Sequence, residues 1–478
     1  MKLLNKILLG FRKNFSREAA HTWFIIMVLA FIVRNDKRGL TSAIRAFDLA
    51  PKHYESIEHF FKASSWDSED ISNCWTEQVL ETAPLYTEDD AIILLMDGKK
   101  NPKEGRRMPG VKKLHQESEN SGKGEYIHGH MWGGVGILAG NEEKLFSIPL
   151  SMRIHDGVKH VFEDAIRKES HVVQMMCQTH EAAVISGRKV IGLGDRYFLS
   201  VPSLRKMDEL IETHQTDFHF VSKAKKSVVA YTKPAPPKEK QRGRPRKKGE
   251  SIKLTSLFEE KASEFKEAEV MIYGKKVPVK YYQIRLLWGQ KLYKELNFLL
   301  VEYQGRKEIL VSTDLSMRAE TIIRLYSLRF KIECTFKELN QVVGAFDYHF
   351  WTPGMEKLNY YQKSDEPGPL ENITDERAVD NIVKTIQATE LHVLIGCISL
   401  GLLQMTSLKE SKDLQLEDIL YYRTYSNRYA SEALVKEIVS KRIFFSFANP
   451  KEYAIIEKIR AKQKHMDIRL DNSDITAA

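Results

Sequence analysis

The order of apolar and polar segments predicts an α/β protein: a mixed β-sheet, interrupted by a β-rich insertion and flanked by helical N- and C-terminal regions. Two short unbroken apolar runs, AIILLMD from Ala91 and KVIGLGD from Lys189, have the length and Ile content of buried strands. Each ends in a carboxylate, Asp97 or Asp195. Between them lie two more strand-like runs, His130 to Ala139 and Leu145 to Ile154, separated by Gly140, Asn141, Glu142 and Glu143 in the manner of a hairpin. Residues 158 to 186 have helical spacing, so the order is strand, strand, strand, helix, strand.

Residues 1 to 88 are expected to be helical, because apolar side chains recur at three- and four-residue intervals, with Ser16 as a cap before Arg17 and Glu18. A basic loop follows Asp97, with seven Lys or Arg from Lys99 to Lys113 opposed only by Glu104. Residues 206 to 310 carry a basic linker and then strands at Val277 to Trp288 and Leu296 to Tyr303, the signature of an inserted β-rich subdomain. A helix is expected from the capping context Asp314, Leu315 and Ser316 to about Gln341, and a long apolar helix to about Leu408 after the polar stretch Thr352 to Glu376. The segmentation is therefore a helical module over 1–88, a core over 89–205, the insertion over 206–310, the second part of the core over 311–408 and a helical region over 409–478.

The 478 residues carry 42% hydrophobic and 29% charged side chains, which excludes fibrous and wholly disordered classes. A net charge of +9 suits a polyanionic partner, nucleic acid first. Charge is uneven along the N-terminal helices: residues 1 to 50 hold nine basic and three acidic side chains, residues 51 to 90 two and ten. The first part is the one suited to DNA. Cys74, Cys177, Cys334 and Cys397 show no paired spacing, so neither a disulfide framework nor a thiolate zinc site is expected, and a reducing cytoplasm fits. The apolar runs Trp23 to Val33 and Leu391 to Met405 are shorter than the roughly 20 residues of a spanning helix and are expected to be core helices, with no membrane partner and no secretory signal.

Chemistry is expected where the carboxylates meet. Two strand-end aspartates, Asp97 and Asp195, joined by Glu333 from a helix, make a hard-oxygen pocket suited to Mg²⁺, with Mn²⁺ as a substitute. A pair of such ions activates a nucleophilic oxygen and stabilises the leaving oxygen of an in-line phosphodiester substitution. On the same helix, Tyr326, Arg329, Glu333, Lys337 and Asn340 recur at intervals of three and four and share a face, so Arg329 can grip a phosphate while Glu333 holds metal.

These residues resemble the DDE transposases of bacterial insertion sequences, in the subgroup with a β-strand insertion inside an RNase H-like catalytic core. The resemblance runs from about residue 20 to 400. Its most specific part is LYSLRFKIECTFKELNQ, similar to a signature of Tyr, two residues, Arg, three residues, Glu, six residues, Lys. Tyr326, Arg329 and Glu333 fit it; its last position falls on Asn340, with Lys337 one turn beyond Glu333. MDGKK at Asp97 and GLGDRYF at Asp195 resemble the family's first two acidic blocks. The resemblance implies Asp97, Asp195 and Glu333 as catalytic metal ligands, Tyr326, Arg329 and Lys337 as DNA-binding residues, Mg²⁺-dependent hydrolysis at terminal inverted repeats, attack of the freed 3′ hydroxyl on target DNA, and a homodimer that pairs two ends.

Lys223 to Lys248 holds eleven Lys or Arg against Glu239, with prolines that prevent helix. Within it Arg242, Gly243, Arg244 and Pro245 resemble an AT-hook core, and Arg246, Lys247 and Lys248 extend the basic strip; such a strip enters a narrow minor groove or strengthens binding in a salt-dependent way. Trp288 is expected to pack in the insertion, and the pair His128 and His130 to share a sheet face without a third zinc ligand. Two other functions compete with transposition: a non-catalytic DNA-binding descendant of such an enzyme, and a stand-alone metal-dependent nuclease. Inverted repeats flanking the gene favour the transposase and their absence the DNA-binding descendant, while cleavage without preference for such ends marks the nuclease.

Overall fold

A computed structural model describes residues 1–36, 39–63, 65–116, 124–235, 246–272, 274–361, 368–371, 373–410 and 429–464. Helices come first: α1 (Lys2–Gly10), α2 (Glu18–Val33), α3 (Thr41–Ala46), α4 (His53–Lys62) and α5 (Ser68–Thr82). From Ala20 onward α2 is buried on every side, as a helix apolar all round must be. Its start is not capped by Ser16; Arg17 takes the cap position without a side-chain bond. Asp67 caps α5 by accepting hydrogen bonds from the Glu69 and Asp70 amides.

The strands begin with β1 (Thr87–Glu88), β2 (Ala91–Pro102), β3 (Lys112–His115), β4 (Tyr126–Gly140) and β5 (Leu145–Ile154). The hairpin β4–β5 is antiparallel as expected, and β2 pairs antiparallel with β4. Because β2 runs on to Pro102, Lys99 and Lys100 lie on a strand rather than in the basic loop. The next helix, α6 (His171–Ser186), starts thirteen residues later than the spacing of 158 to 186 implies. Arg167 is drawn instead onto Glu390, and Gln174 donates to the His155 and Glu169 carbonyls, which fixes an irregular approach. Gly187, at φ 57°, ends the helix in the left-handed conformation.

Beyond it come β6 (Val190–Leu193), α7 (Val201–His214), β7 (Phe218–Lys223), β8 (Val229–Tyr231), β9 (Ser251–Lys253), α8 (Leu257–Glu260), β10 (Lys266–Ile272), β11 (Lys275–Trp288), β12 (Lys294–Tyr303) and β13 (Arg306–Ser312). Strands β2, β6 and β7 are parallel, the buried arrangement that their continuous apolar runs require. The β-rich segment adds β13, β12 and β11 antiparallel to the β7 edge, so all thirteen strands among the described residues form one sheet. Trp288 packs against the core there.

The chain then forms α9 (Ala319–Leu328), α10 (Lys331–Gln341), α11 (Glu376–Lys409), α12 (Glu432–Ser446) and α13 (Ala454–Arg460). One continuous helix from Asp314 to Gln341 was the expectation; two are found. Asp314 accepts from the amide and hydroxyl of Ser316 in a local turn, leaving Arg318 at the start of α9. At Arg329 and Phe330 the bonds tighten to Arg329 N to Tyr326 O, Ile332 N to Arg329 O and Glu333 N to Phe330 O. The α/β class is as expected.

α11 is long and apolar enough to cross a membrane, yet its apolar window is packed inside the protein, against α2, α4, α5 and β5. The N-terminal helices, the sheet and the C-terminal helices share one contiguous core. Buried cations fasten it: Arg34 donates to the Val343 and Gly344 carbonyls beyond α10, and Lys436 of α12 donates to the Arg34 and Val342 carbonyls. Glu390 of α11, 3% exposed, takes Arg167 through two bonds of 2.7 and 2.8 Å and accepts the Ile154 amide at 2.8 Å. Removing one partner of a buried pair strands the other, so Glu390→Gln is expected to cost about 3 kcal/mol in denaturant unfolding.

Buried imidazoles give the fold an acid limit. His130 is wholly enclosed, held by the Tyr348 hydroxyl and the Pro109 carbonyl, and burial pushes its pKa down to about 4. His155 and His392 are driven well below their ordinary value for the same reason. A folded-state pKa below the unfolded one favours the neutral form. The stability is therefore complete above pH 6.5 and is lost as pH falls toward 4, on the order of 3 kcal/mol from His130 alone. Thermal melts between those values should drop steeply; a flat profile would contradict this assignment.

Candidate active site

Register, not sequence distance, brings the two aspartates together. Leu95 of β2 is level with Leu193 of the parallel β6, so Asp97 and Asp195 each stand two residues beyond the same rung. Both leave the buried part of the sheet there: residues Ala91 to Met96 are fully covered, while Asp97 is only partly so. Asp97 Oδ1 accepts the Gly98 amide at 2.8 Å, and Asp195 Oδ1 accepts the Arg196 amide at 2.6 Å.

The third carboxylate arrives because β4 is rich in glycine. Gly134 is the cross-strand partner of Asp97 and shares its face of the sheet. A Cβ on Gly134 would meet Phe336 Cε1 at 2.7 Å and Met152 Sδ at 2.5 Å, so the Phe336 ring of α10 occupies the space a side chain would need. Glu333 is one turn before Phe336, and this close seating carries it toward Asp97. Gly134→Val is expected to displace α10, costing about 1–3 kcal/mol of stability by overpacking and suppressing any chemistry that uses Glu333. Wild-type activity in a folded Gly134→Val protein would refute the role given to this glycine.

Arg329 joins the carboxylates. At the joint of α9 and α10 its guanidinium donates to Asp97 Oδ2 at 2.9 Å and, through its other terminal nitrogen, pairs with Glu333. Burial, partly offset by Arg329 and the Gly98 amide and reinforced by the charges of Asp195 and Glu333, pushes the Asp97 carboxyl up to about 6. The paired carboxylates hold Arg329 firmly protonated despite its burial. Tyr326 is part of the same group: burial raises its phenol, with Asp195 and Arg329 acting on it.

Asp97, Asp195, Glu333, Tyr326 and Arg329 are thus one electrostatic unit. The broken helix puts Tyr326 on α9 and Glu333 on α10, and Arg329 faces carboxylates rather than standing open. Lys337 is exposed beside Glu338, and Asn340 is exposed as well. The basic strip lies elsewhere: Lys248 stands over the Tyr231 ring at 4.0 Å, Arg246 and Lys247 are exposed, and Arg242 and Arg244 lie outside the described residues. His128 stacks on Tyr360 and His130 is a core histidine, so the pair makes no zinc site.

Among the described residues no three His, Cys, Asp or Glu side chains form a ready group for a metal ion. The donor set nonetheless fits one. Asp97, Asp195 and Glu333 offer hard carboxylate oxygens, and two of the three already gather around a single positive charge. Sequence reasoning missed Gly98 and Gly134. The signal was present in HGHMWGGVGILAG, a strand with more glycine than a strand tolerates unless something approaches it closely. A Cβ on Gly98 would meet Met131 Cε at 2.7 Å and His171 Nε2 at 2.8 Å.

The family model described as Transposase DDE domain matches residues 160–350, a stretch that contains Asp195 and Glu333 and begins after Asp97. This similarity supports a DDE transposase and implies DNA as substrate. Comparison with curated proteins gave no match.

Proposed function

We propose that the chain is a transposase that binds the terminal inverted repeats of an insertion sequence, cuts DNA at them and joins the ends to a target. The observation that carries this reading is Arg329 pairing with Asp97 and Glu333, with Asp195 two residues beyond the same rung of the sheet as Asp97 and its charge acting on that carboxyl. Strand order supports an RNase H-like core: β5, β4, β2, β6 and β7 lie side by side, the first two antiparallel and the last three parallel. On this reading the core spans 89–205 and 311–408, the insertion 206–310, and the flanking helical regions 1–88 and 409–478 serve DNA binding and dimerisation.

Asp97, Asp195 and Glu333 would hold Mg²⁺ or Mn²⁺. When bound, the ions supply Lewis-acid stabilisation of the oxygens that attack and leave phosphorus. The chain's own residues set the rest. Partial burial raises the cost of charging Asp97, so its proton is held up to about pH 6. Arg329 neutralises Asp97 and Glu333 and is the cation beside them that would hold a phosphate oxygen. Tyr326 packs against Arg329 and keeps it at the joint. The +9 net charge favours association with DNA. Two copies synapse two ends.

The test is cleavage of a plasmid carrying the gene and its native flanks, in Mg²⁺ and in Ca²⁺, with breaks mapped by sequencing. Breaks at the two element boundaries in Mg²⁺ alone support the reading. Tight binding to those boundaries without cleavage in any metal favours the DNA-binding descendant, and breaks without preference for them favour a nuclease.

A further inference from the structure

Away from the carboxylates, at the far end of β2, cations and aromatic rings alternate on a surface that neither the fold nor the pocket requires. The loop after Pro102 is pinned to the segment after α10: the Thr352 amide donates to the Arg107 carbonyl at 3.1 Å, the Leu358 amide to the Arg106 carbonyl at 2.8 Å, and the Tyr360 hydroxyl to the Glu104 carbonyl. Upon this frame the Arg106 guanidinium lies 5.0 Å from the Tyr360 ring, which itself stacks on His128 at 4.1 Å. Lys113 stands 4.4 Å above Tyr126. Trp351 is 59% exposed, an unusual position for so large an apolar ring. It lines one concavity with Lys103, Arg106, Arg107 and Lys357.

Among the described residues, Arg106, Arg107, Lys113 and Lys357 have no carboxylate partner, and Arg107 Nε is buried without a hydrogen bond. Glu104, Glu356 and Glu125, the last paired with His115, are acidic side chains near these cations, against Arg106, Arg107, Lys113 and Lys357. The strand links it to the pocket. From Asp97 to Pro102 is five residues, about 17 Å at the rise of a β-strand, or about five base pairs of duplex. Lys99 lies on the Asp97 face between the two, over the Phe346 ring, and Lys103, over the Tyr348 ring, begins the concavity.

We propose that this surface is a second DNA contact, in which Arg106, Arg107 and Lys357 hold phosphates of the duplex leaving the pocket and Trp351 stacks on an unpaired base. It rests on the reading of the pocket as a DNA-cutting site. Phosphate contacts position a nucleic acid, and stacking on an exposed indole selects bases freed from the helix. The backbone bonds that order the loop beforehand reduce the cost of binding.

The experiment titrates the full chain with a labelled duplex of about three helical turns, intact or carrying one unpaired base, over a series of salt concentrations. Arg106→Ala combined with Lys357→Ala removes two exposed cations; it should weaken both duplexes about tenfold and reduce the salt slope by about two. Trp351→Ala should weaken the duplex with the unpaired base by about five- to a hundredfold and leave the intact duplex unchanged. Unaltered slopes in the double variant, or equal affinities of Trp351→Ala and wild type for the unpaired base, would overturn the proposal. So would stronger binding of a hairpin RNA through the same residues. Failure of the pocket reading looks different: wild type then binds these duplexes through this surface, yet plasmid cleavage is absent in Mg²⁺.

Discussion

Asp97→Asn is expected to abolish DNA cleavage, by on the order of a thousandfold or more, while leaving DNA binding intact and the protein at least as stable. The two effects share one cause. Asp97 is largely buried among carboxylates, and its pKa of about 6 lies above the ordinary 3.8, so the charged form is disfavoured in the folded state relative to the unfolded one. Sign follows directly: above pH 6 the ionised side chain costs stability, by about 3 kcal/mol, and a neutral isostere removes that cost. Cleavage assays paired with denaturant melts at about pH 7.5 test both halves. A large loss of stability in Asp97→Asn would show that the carboxylate is kept for structure. Asp195→Asn and Glu333→Gln should lose cleavage to a similar extent, since residues that act as a unit are not additive.

Arg329→Ala should be the most damaging change outside the carboxylates. It leaves Asp97 and Glu333 close together without their shared cation, and breaking a buried pair costs about 3 kcal/mol or more. Arg329 is what pulls the Asp97 carboxyl downward, so its removal moves that pKa above about 6. More of the protein then carries a protonated Asp97 near neutrality. Cleavage by Arg329→Ala is expected to fall about a hundredfold and to recover in part as pH rises, whereas Arg329→Lys keeps the charge, loses the two-pronged geometry and falls in between. A pH–rate profile that keeps its wild-type shape in Arg329→Ala would sink this account of the arginine.

Much of this site was legible before the structure, for reasons that particular residues make clear. Asp97 and Asp195 end apolar runs of strand length, and a parallel pairing of two such runs places their ends level whatever lies between them. The hairpin of β4 and β5 was legible from its flanking turn residues, and the burial of α2 from its lack of any polar face. Other features depend on long-range contacts that a local pattern does not encode. The helical spacing of 158–170 was overridden by Arg167 reaching Glu390, more than two hundred residues away. The apparent single helix through Arg329 tightens at that residue, so the periodicity that placed Tyr326, Arg329 and Glu333 on one face described two helices. The glycines of β4 answer to partners distant in sequence: Phe336 is seated on Gly134, the His155 ring on Gly133 and the Asn101 carbonyl on Gly129.

The central claim is that Asp97, Asp195 and Glu333 hold one metal centre. The most direct measurement replaces Mg²⁺ with Fe²⁺ in the DNA-bound protein, generates hydroxyl radicals with ascorbate and peroxide, and maps where the polypeptide is cut. Cuts confined to the chain around residues 97, 195 and 333, and lost in Asp97→Asn and Glu333→Gln, are the expected result. Cuts elsewhere, or the same cuts in both variants, would contradict it.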